Sequence, residues 1–181
     1  CPDGQYVSLI AQPDPETAFV VDHFDVDRVT ANLEHHLGDR TGLGDHIGTT
    51  VRAFFNDSFE FKTERHFTDD FLDAFAELRG YDLRPYLPVV VPPGADNHIF
   101  DGAGLDTESP FILSPDDERI RYDYQRTVSD LFVDRFVKTS ATWAAERGLL
   151  SRIQPYGLRV DVREAAGNAH IGETEQLYGG G

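Results

Sequence analysis

Apolar residues recur at helical spacing in three stretches of the chain and gather into compact runs elsewhere. Val26, Val29, Leu33 and Leu37 follow one another at intervals of three and four, behind Asp25 and ahead of Gly38. An Asp can accept from the free N–H groups of a first turn, and Gly readily ends a helix, so the spacing predicts a helix over 26–37. Phe71, Phe75 and Leu78 form a second stripe, with Thr68 as the expected cap and Gly80 as the stop. Asp69 and Asp70 fall in its first turn, where negative charge suits the helix dipole. A third stripe, Ile120, Tyr124, Val128, Leu131, Phe136, Ala141 and Ala144, predicts a long helix from about 118 to 147, closed by Gly148. A short helix is expected over 160–166.

The compact runs read as strands: 6–11, 18–21, 51–56, 151–154 and 169–171. Residues 81–93 carry four prolines and cannot form one regular element. Residues 94–117, rich in Gly, Asp, Ser and Pro, read as a long loop. Strands that alternate with helices predict parallel pairing through helical crossovers. No glycine-rich dinucleotide fingerprint follows a strand, which weakens a Rossmann reading. The expected fold class is therefore α/β, a partial (β/α)8 TIM-type barrel. A whole barrel needs about 250 residues. Residues 1–181 are thus expected to be part of one catalytic barrel domain, truncated at both ends. The chain starts at Cys1 and holds no Met, which fits a piece of a longer protein.

Charge then removes several function classes. The chain carries 32 acidic and 16 basic residues, a formal net charge of −16. Such a surface repels phosphate backbones and argues against a nucleic-acid partner. Only Lys62 and Lys138 are lysines; acid excess with few lysines looks like salt adaptation, and a mildly acidic enzyme from a high-GC genome, which favours Arg over Lys, is the other reading. No run approaches the roughly 18 apolar residues of a membrane-spanning helix, so no membrane partner is expected. The lone Cys1 permits neither an internal disulfide nor a cysteine metal site.

In a parallel barrel the chemistry sits at the carboxyl ends of the strands. Two places here put carboxylates there. Asp57 and Glu60 follow the 51–56 run, and Glu173 and Glu175 follow the last strand. Cleavage of a glycosidic bond needs two carboxyl groups across the scissile bond, one an acid and the other a base or nucleophile. Gln154 and Tyr156, at the end of the 151–154 strand, could hydrogen-bond to and stack on a sugar. Arg121 and Asp123, at the start of the long helix, could clamp a substrate or serve only as first-turn charge. Trp143 could also stack, although a Trp on a helix stripe usually belongs to the core. His66, His98 and His170 are isolated and read as structural or surface residues. His35 and His36 are helix neighbours, which cannot point at one ion. Neither GxSxG nor HExxH occurs.

Several motifs, in order, resemble one known family. Phe55-Asn-Asp-Ser-Phe-Glu60 resembles the "DS-x-E" strand end of the glycoside hydrolase family 106 α-L-rhamnosidases. The run from Phe67-Thr-Asp-Asp-Phe71 through Arg79-Gly-Tyr-Asp-Leu-Arg-Pro-Tyr-Leu-Pro88 is similar to that family's "W-T-x-x-F … R-G-Y-D-L-x-P-Y-L-P". Arg121 to Leu131 resembles its next helix, Gln154-Pro-Tyr-Gly157 its "Q-A-H/Y-G", and Ile171-Gly-Glu-Thr-Glu175 its "I-P-E-T-E". Val21-Asp-His23 resembles a "V-D-H" lead-in. The chain departs from the pattern at His66, at Pro155 and at Gly172, which replaces a Pro.

The resemblance implies a catalytic (β/α)8 barrel inside a larger enzyme, and hydrolysis of terminal α-L-rhamnosides with inversion. Glutamates at Glu60 and at the Glu173/Glu175 pair would carry acid and base work, and calcium is the cofactor the family pattern suggests. Glu60 as acid and Glu173 as base is the expected assignment, with Glu175 and the exchanged roles as its alternatives. Two other readings stay open from the residues: a barrel that binds or cleaves a different sugar, and a non-catalytic structural domain.

Overall fold

A computed structural model describes residues 20–61, 65–90 and 112–174. The expected strand at 6–11, His98 and Glu175 lie outside these residues. Helix α1 is Val26–Leu37. The Asp25 side chain accepts from the Arg28 N–H at 3.0 Å, and Gly38 closes the helix through its N–H to the Glu34 carbonyl. Strand β1 is Ala53–Asn56 and helix α2 is Phe71–Arg79. Gly80 ends α2 at φ 81°, in the left-handed region that a side chain would disfavour.

The expected cap of α2 is corrected. Asp70, not Thr68, stands at the N-cap position and makes no side-chain cap bond. Asp70 instead meets Arg135 with both oxygens at 2.7 Å. The Thr68 hydroxyl donates to Asp22 at 2.7 Å, which fastens the chain before α1 to the chain before α2. The proline-punctuated stretch forms a 3-10 turn at Arg84–Tyr86 and then a single turn of helix, α3, at Leu87–Val90.

The long helix is present, with a variation. It runs as α4 (Asp117–Leu131), a π-helical segment (Phe132–Val137) and α5 (Lys138–Glu146) without a break. The wider π turn presents Phe132 and Phe136 stacked on each other at 5.3 Å, and Phe59 meets both edge-on at 4.8 and 5.3 Å. Strand β2 (Leu150–Ile153), helix α6 (Val162–Asn168) and strand β3 (Ile171–Gly172) complete the described chain. Residues 20 and 21 are irregular, so no strand occupies them.

The strands form one parallel sheet in the order β1-β2-β3, with Ala53 opposite Leu150 and Arg152 opposite Ile171. Helices fill both crossovers, as parallel pairing requires. The core lies between helices and sheet, where Phe71, Phe75, Leu83, Phe132, Val137 and Ile153 are almost fully buried. Each such side chain contributes roughly 1.5–3 kcal/mol of transfer free energy.

One face of the sheet meets the helices. The Phe54 ring lies 6.1 Å from Trp143 of α5, Ile153 is buried, and Gly172 abuts Ala166 of α6. Side chains alternate along a strand. Ala53, Phe55, Leu150, Arg152 and Ile171 therefore face the other way, where Phe55 and Leu150 are 44% and 43% exposed.

Candidate active site

Because the three strands are parallel and adjacent, their carboxyl ends share one edge of the sheet. Residues 57–60 leave β1 there, residues 154–156 leave β2, and Glu173 follows β3. Backbone bonds hold these exits together. The Gln154 N–H donates to the Asn56 carbonyl at 3.0 Å, Glu173 N–H to Ile153 at 2.8 Å, and Phe59 N–H to Tyr156 at 2.8 Å. Gly157, at φ 97°, lies directly against the Phe59–Glu60 peptide. Glu60 and Tyr156 are half-buried and Gln154 is buried. Asp57 is exposed and accepts from the N–H of the next residue, Ser58, at 2.9 Å.

Glu173 is the best-anchored of the carboxylates. The Arg152 guanidinium donates to both of its oxygens, from Nε to Oε1 and from Nη2 to Oε2 at 2.6 Å. The same guanidinium lies over the Phe55 ring, 4.6 Å from its centroid. Glu173 raises the pKa of Arg152 above its ordinary value through this hydrogen bonding. Sequence reasoning missed Arg152 and Phe55 as site residues. Arg152 stands between Ser151 and Ile153 in a run that also holds Gln154, so its charge did not mark it out.

Other expected residues fall elsewhere. Arg121 reaches the Val89 carbonyl at 3.4 Å, and Asp123 accepts from the Tyr81 hydroxyl at 3.0 Å, so both engage the 81–90 segment. Burial, with the Asp123 bond next, pushes the Tyr81 hydroxyl up to about 12, and it remains a donor. Trp143 is buried, with its indole N–H on Glu34 at 2.8 Å, and belongs to the helix packing. His66 is buried and structural. The His170 ring accepts from the Ser151 N–H at 3.1 Å, on the approach to β3 and away from the carboxylate edge.

His23 was not singled out from the sequence as a site residue, yet it stands beside this edge. Its ring lies 5.7 Å from Phe59, 4.7 Å from Phe61 and 4.7 Å from Phe136, so it is packed against both neighbours of Glu60. Burial among these rings pushes its pKa down to about 4, against the opposing pull of a bond to Val21. His23, Phe61 and His66 also line an open cleft of about 380 Å³.

The described residues do not supply a calcium cage. Calcium takes six to eight oxygens, and among the described residues no three His, Cys, Asp or Glu side chains are grouped so as to hold a metal.

Parallel strands joined by helical crossovers make this an α/β layer, with carboxylates gathered at one strand edge. The chain belongs to the alpha-L-rhamnosidase family, glycoside hydrolase family 106, whose model matches residues 11–168. A solved rhamnosidase from Novosphingobium sp. PP1Y is similar over 87% of the chain, with a TM-score of 0.64 and 29% identity. A Formosa agariphila protein named "Putative beta-glucuronidase" is 31% identical over 138 residues, 76% of the chain. The chain spans 14% of the solved rhamnosidase and 10% of the Formosa protein.

Proposed function

We propose that this chain forms part of one (β/α)8 catalytic barrel that hydrolyses terminal α-L-rhamnosides with inversion. The observation that carries this reading is the shared edge at which β1 and β3 present Glu60 and Glu173, with β2 between them. Inverting pairs need about 6.5–9.5 Å between carboxyls, leaving room for a water, whereas retaining pairs need about 5 Å. The exposed face bearing Phe55 and Leu150 suits the inner face of a barrel completed by further strands.

In this mechanism Glu173 takes a proton from the attacking water as its oxygen bonds to the anomeric carbon. The bond from that carbon to the leaving oxygen breaks, and Glu60 delivers its proton to that oxygen. Arg152, by donating to both Glu173 oxygens, fixes the direction in which the carboxylate points. Glu175 and the exchanged roles are the alternatives the same experiment separates. Asp57, Gln154 and Tyr156 are the proposed sugar contacts at this edge, whereas Arg121 and Asp123 are engaged by the 81–90 segment away from it.

The test uses the full-length enzyme and p-nitrophenyl α-L-rhamnoside, with the anomer first released read by NMR. Inverted product, together with loss of at least about 10²-fold in kcat for Glu60→Gln and for Glu173→Gln, supports the reading. Retained product, or near-normal turnover by either variant, overturns it. Because one relative is named for a different sugar, p-nitrophenyl β-D-glucuronide belongs in the same assay. Cleavage of that substrate alone would keep the hydrolase and change the sugar. Sugar binding without cleavage would leave a binding module.

A further inference from the structure

Phe55 of β1, Arg152 of β2 and Glu173, the residue that follows β3, lie together on the face away from the helices. Phe55 and Arg152 are opposite one another in the ladder, and Arg152 is opposite Ile171 of β3. Each of the three is held. The Glu173 backbone is bonded to Ile153, its carboxylate is forked by Arg152, and the guanidinium rests on the Phe55 ring.

An isolated exposed ion pair contributes little to stability. Here the side chains of Arg152 and Glu173 are 43% and 30% exposed. The geometry is nevertheless more specific than solvent-facing charges require. A planar fork on both carboxylate oxygens, with its own face stacked on an aromatic ring, fixes a direction in space as well as a charge. A lysine could supply the charge but not the fork.

We propose that Arg152, seated on Phe55, is the positioning residue that aims the Glu173 carboxylate at the reacting water. This rests on the reading of Glu173 as the base. Arg152 acts through Glu173 and touches neither water nor sugar. Its loss would let the carboxylate rotate away from its line of approach, and a misplacement of about 1 Å costs on the order of 10²-fold in rate. Because substrate is held by other groups, the effect falls on kcat with little change in KM.

The experiment compares Arg152→Ala, Arg152→Lys, Phe55→Leu and Glu173→Gln in the full-length enzyme with p-nitrophenyl α-L-rhamnoside. The expected result for Arg152→Ala is a loss of about 10²-fold in kcat, with KM within about threefold and an intact thermal transition. Millimolar guanidinium should restore part of its activity. Arg152→Lys should fall between wild type and Ala, and Phe55→Leu should lose several-fold. Arg152→Ala with kcat within threefold of wild type, while Glu173→Gln is inactive, overturns the inference and leaves the two-glutamate reading standing. So does a loss that tracks only a lowered Tm, with neither Lys nor guanidinium restoring rate. An active Glu173→Gln sinks the two-glutamate reading, and this inference with it.

Discussion

Gly157 lies so close to Glu60 that a Cβ on it would stand 2.8 Å from the Glu60 nitrogen and 2.7 Å from the Phe59 carbonyl carbon. Both contacts are with backbone, which cannot swing aside as a side-chain end can. The residue also has φ 97°, where L side chains are strained. Gly157→Ala should therefore lower stability by about 1–3 kcal/mol and move the Phe59–Glu60 peptide. Thermal unfolding and turnover of the full-length enzyme should both fall. Wild-type values for both would show that the β2 exit does not set the position of Glu60.

His23 predicts an acid-sensitive stability. Burial among Phe59, Phe61 and Phe136 lowers its folded pKa from the ordinary 6.5 to about 4. Between those values the unfolded chain binds more protons than the folded one, so stability rises with pH across the window. The contribution is fully present above about pH 6.5 and declines as pH falls toward 4, by up to about 3 kcal/mol. Asp70 adds a second loss at lower pH. Hydrogen bonding from Arg135 holds its carboxyl below the usual range, so that stability is lost as pH drops through the folded value. Denaturant unfolding from pH 4 to 7 checks the first effect. His23→Gln should flatten the slope, and an unchanged slope would assign it to other groups.

How much of this was legible in the chain depended on whether the signal was local. Asp25 and Gly38 bracket α1 as their chemistry predicts, and Gly80 and Gly148 end helices where expected. The π segment was not legible, because Phe132 and Phe136 are four apart and share a face in either helix form. Strands of four and two residues are too short for alternation to speak, so their bounds shifted by one or two positions. Thr68 had the right chemistry for a cap, but the hydroxyl is engaged by Asp22, 46 residues earlier. His23 and Arg152 matter through partners distant in the chain, and no spacing rule reaches them. The carboxylates at 57–60 and 173 were legible because strand ends are local, and parallel pairing brought them to one edge.

Trp143 offers a control that separates packing from chemistry. Its indole donates to Glu34, and the Arg147 guanidinium lies 4.2 Å from the ring centre. Trp143→Phe keeps the aromatic bulk against Phe54 but removes the donor to the exposed Glu34, which keeps Arg147 as its other partner. The expected cost is about 1–2 kcal/mol, with kcat and KM on p-nitrophenyl α-L-rhamnoside unchanged at a temperature where the variant is folded. A fall in kcat without a fall in Tm would instead give this tryptophan a place in the reaction.

The sheet itself makes the last prediction. β2 is paired on both sides, whereas β1 and β3 are its outer strands among the described residues. Open edges with their N–H and C=O groups unpaired recruit other chains, and an apolar face beside them adds to the drive. Phe55 and Leu150 lie on that face, nearly half exposed. In a closed barrel further strands would pair both edges and enclose the face. Residues 1–181 expressed alone should therefore self-associate, eluting ahead of a monomer in size-exclusion chromatography and scattering light at micromolar concentration. Leu150→Thr should reduce association without abolishing it, since the edges remain. A clean monomer with a cooperative thermal transition would show that three strands suffice.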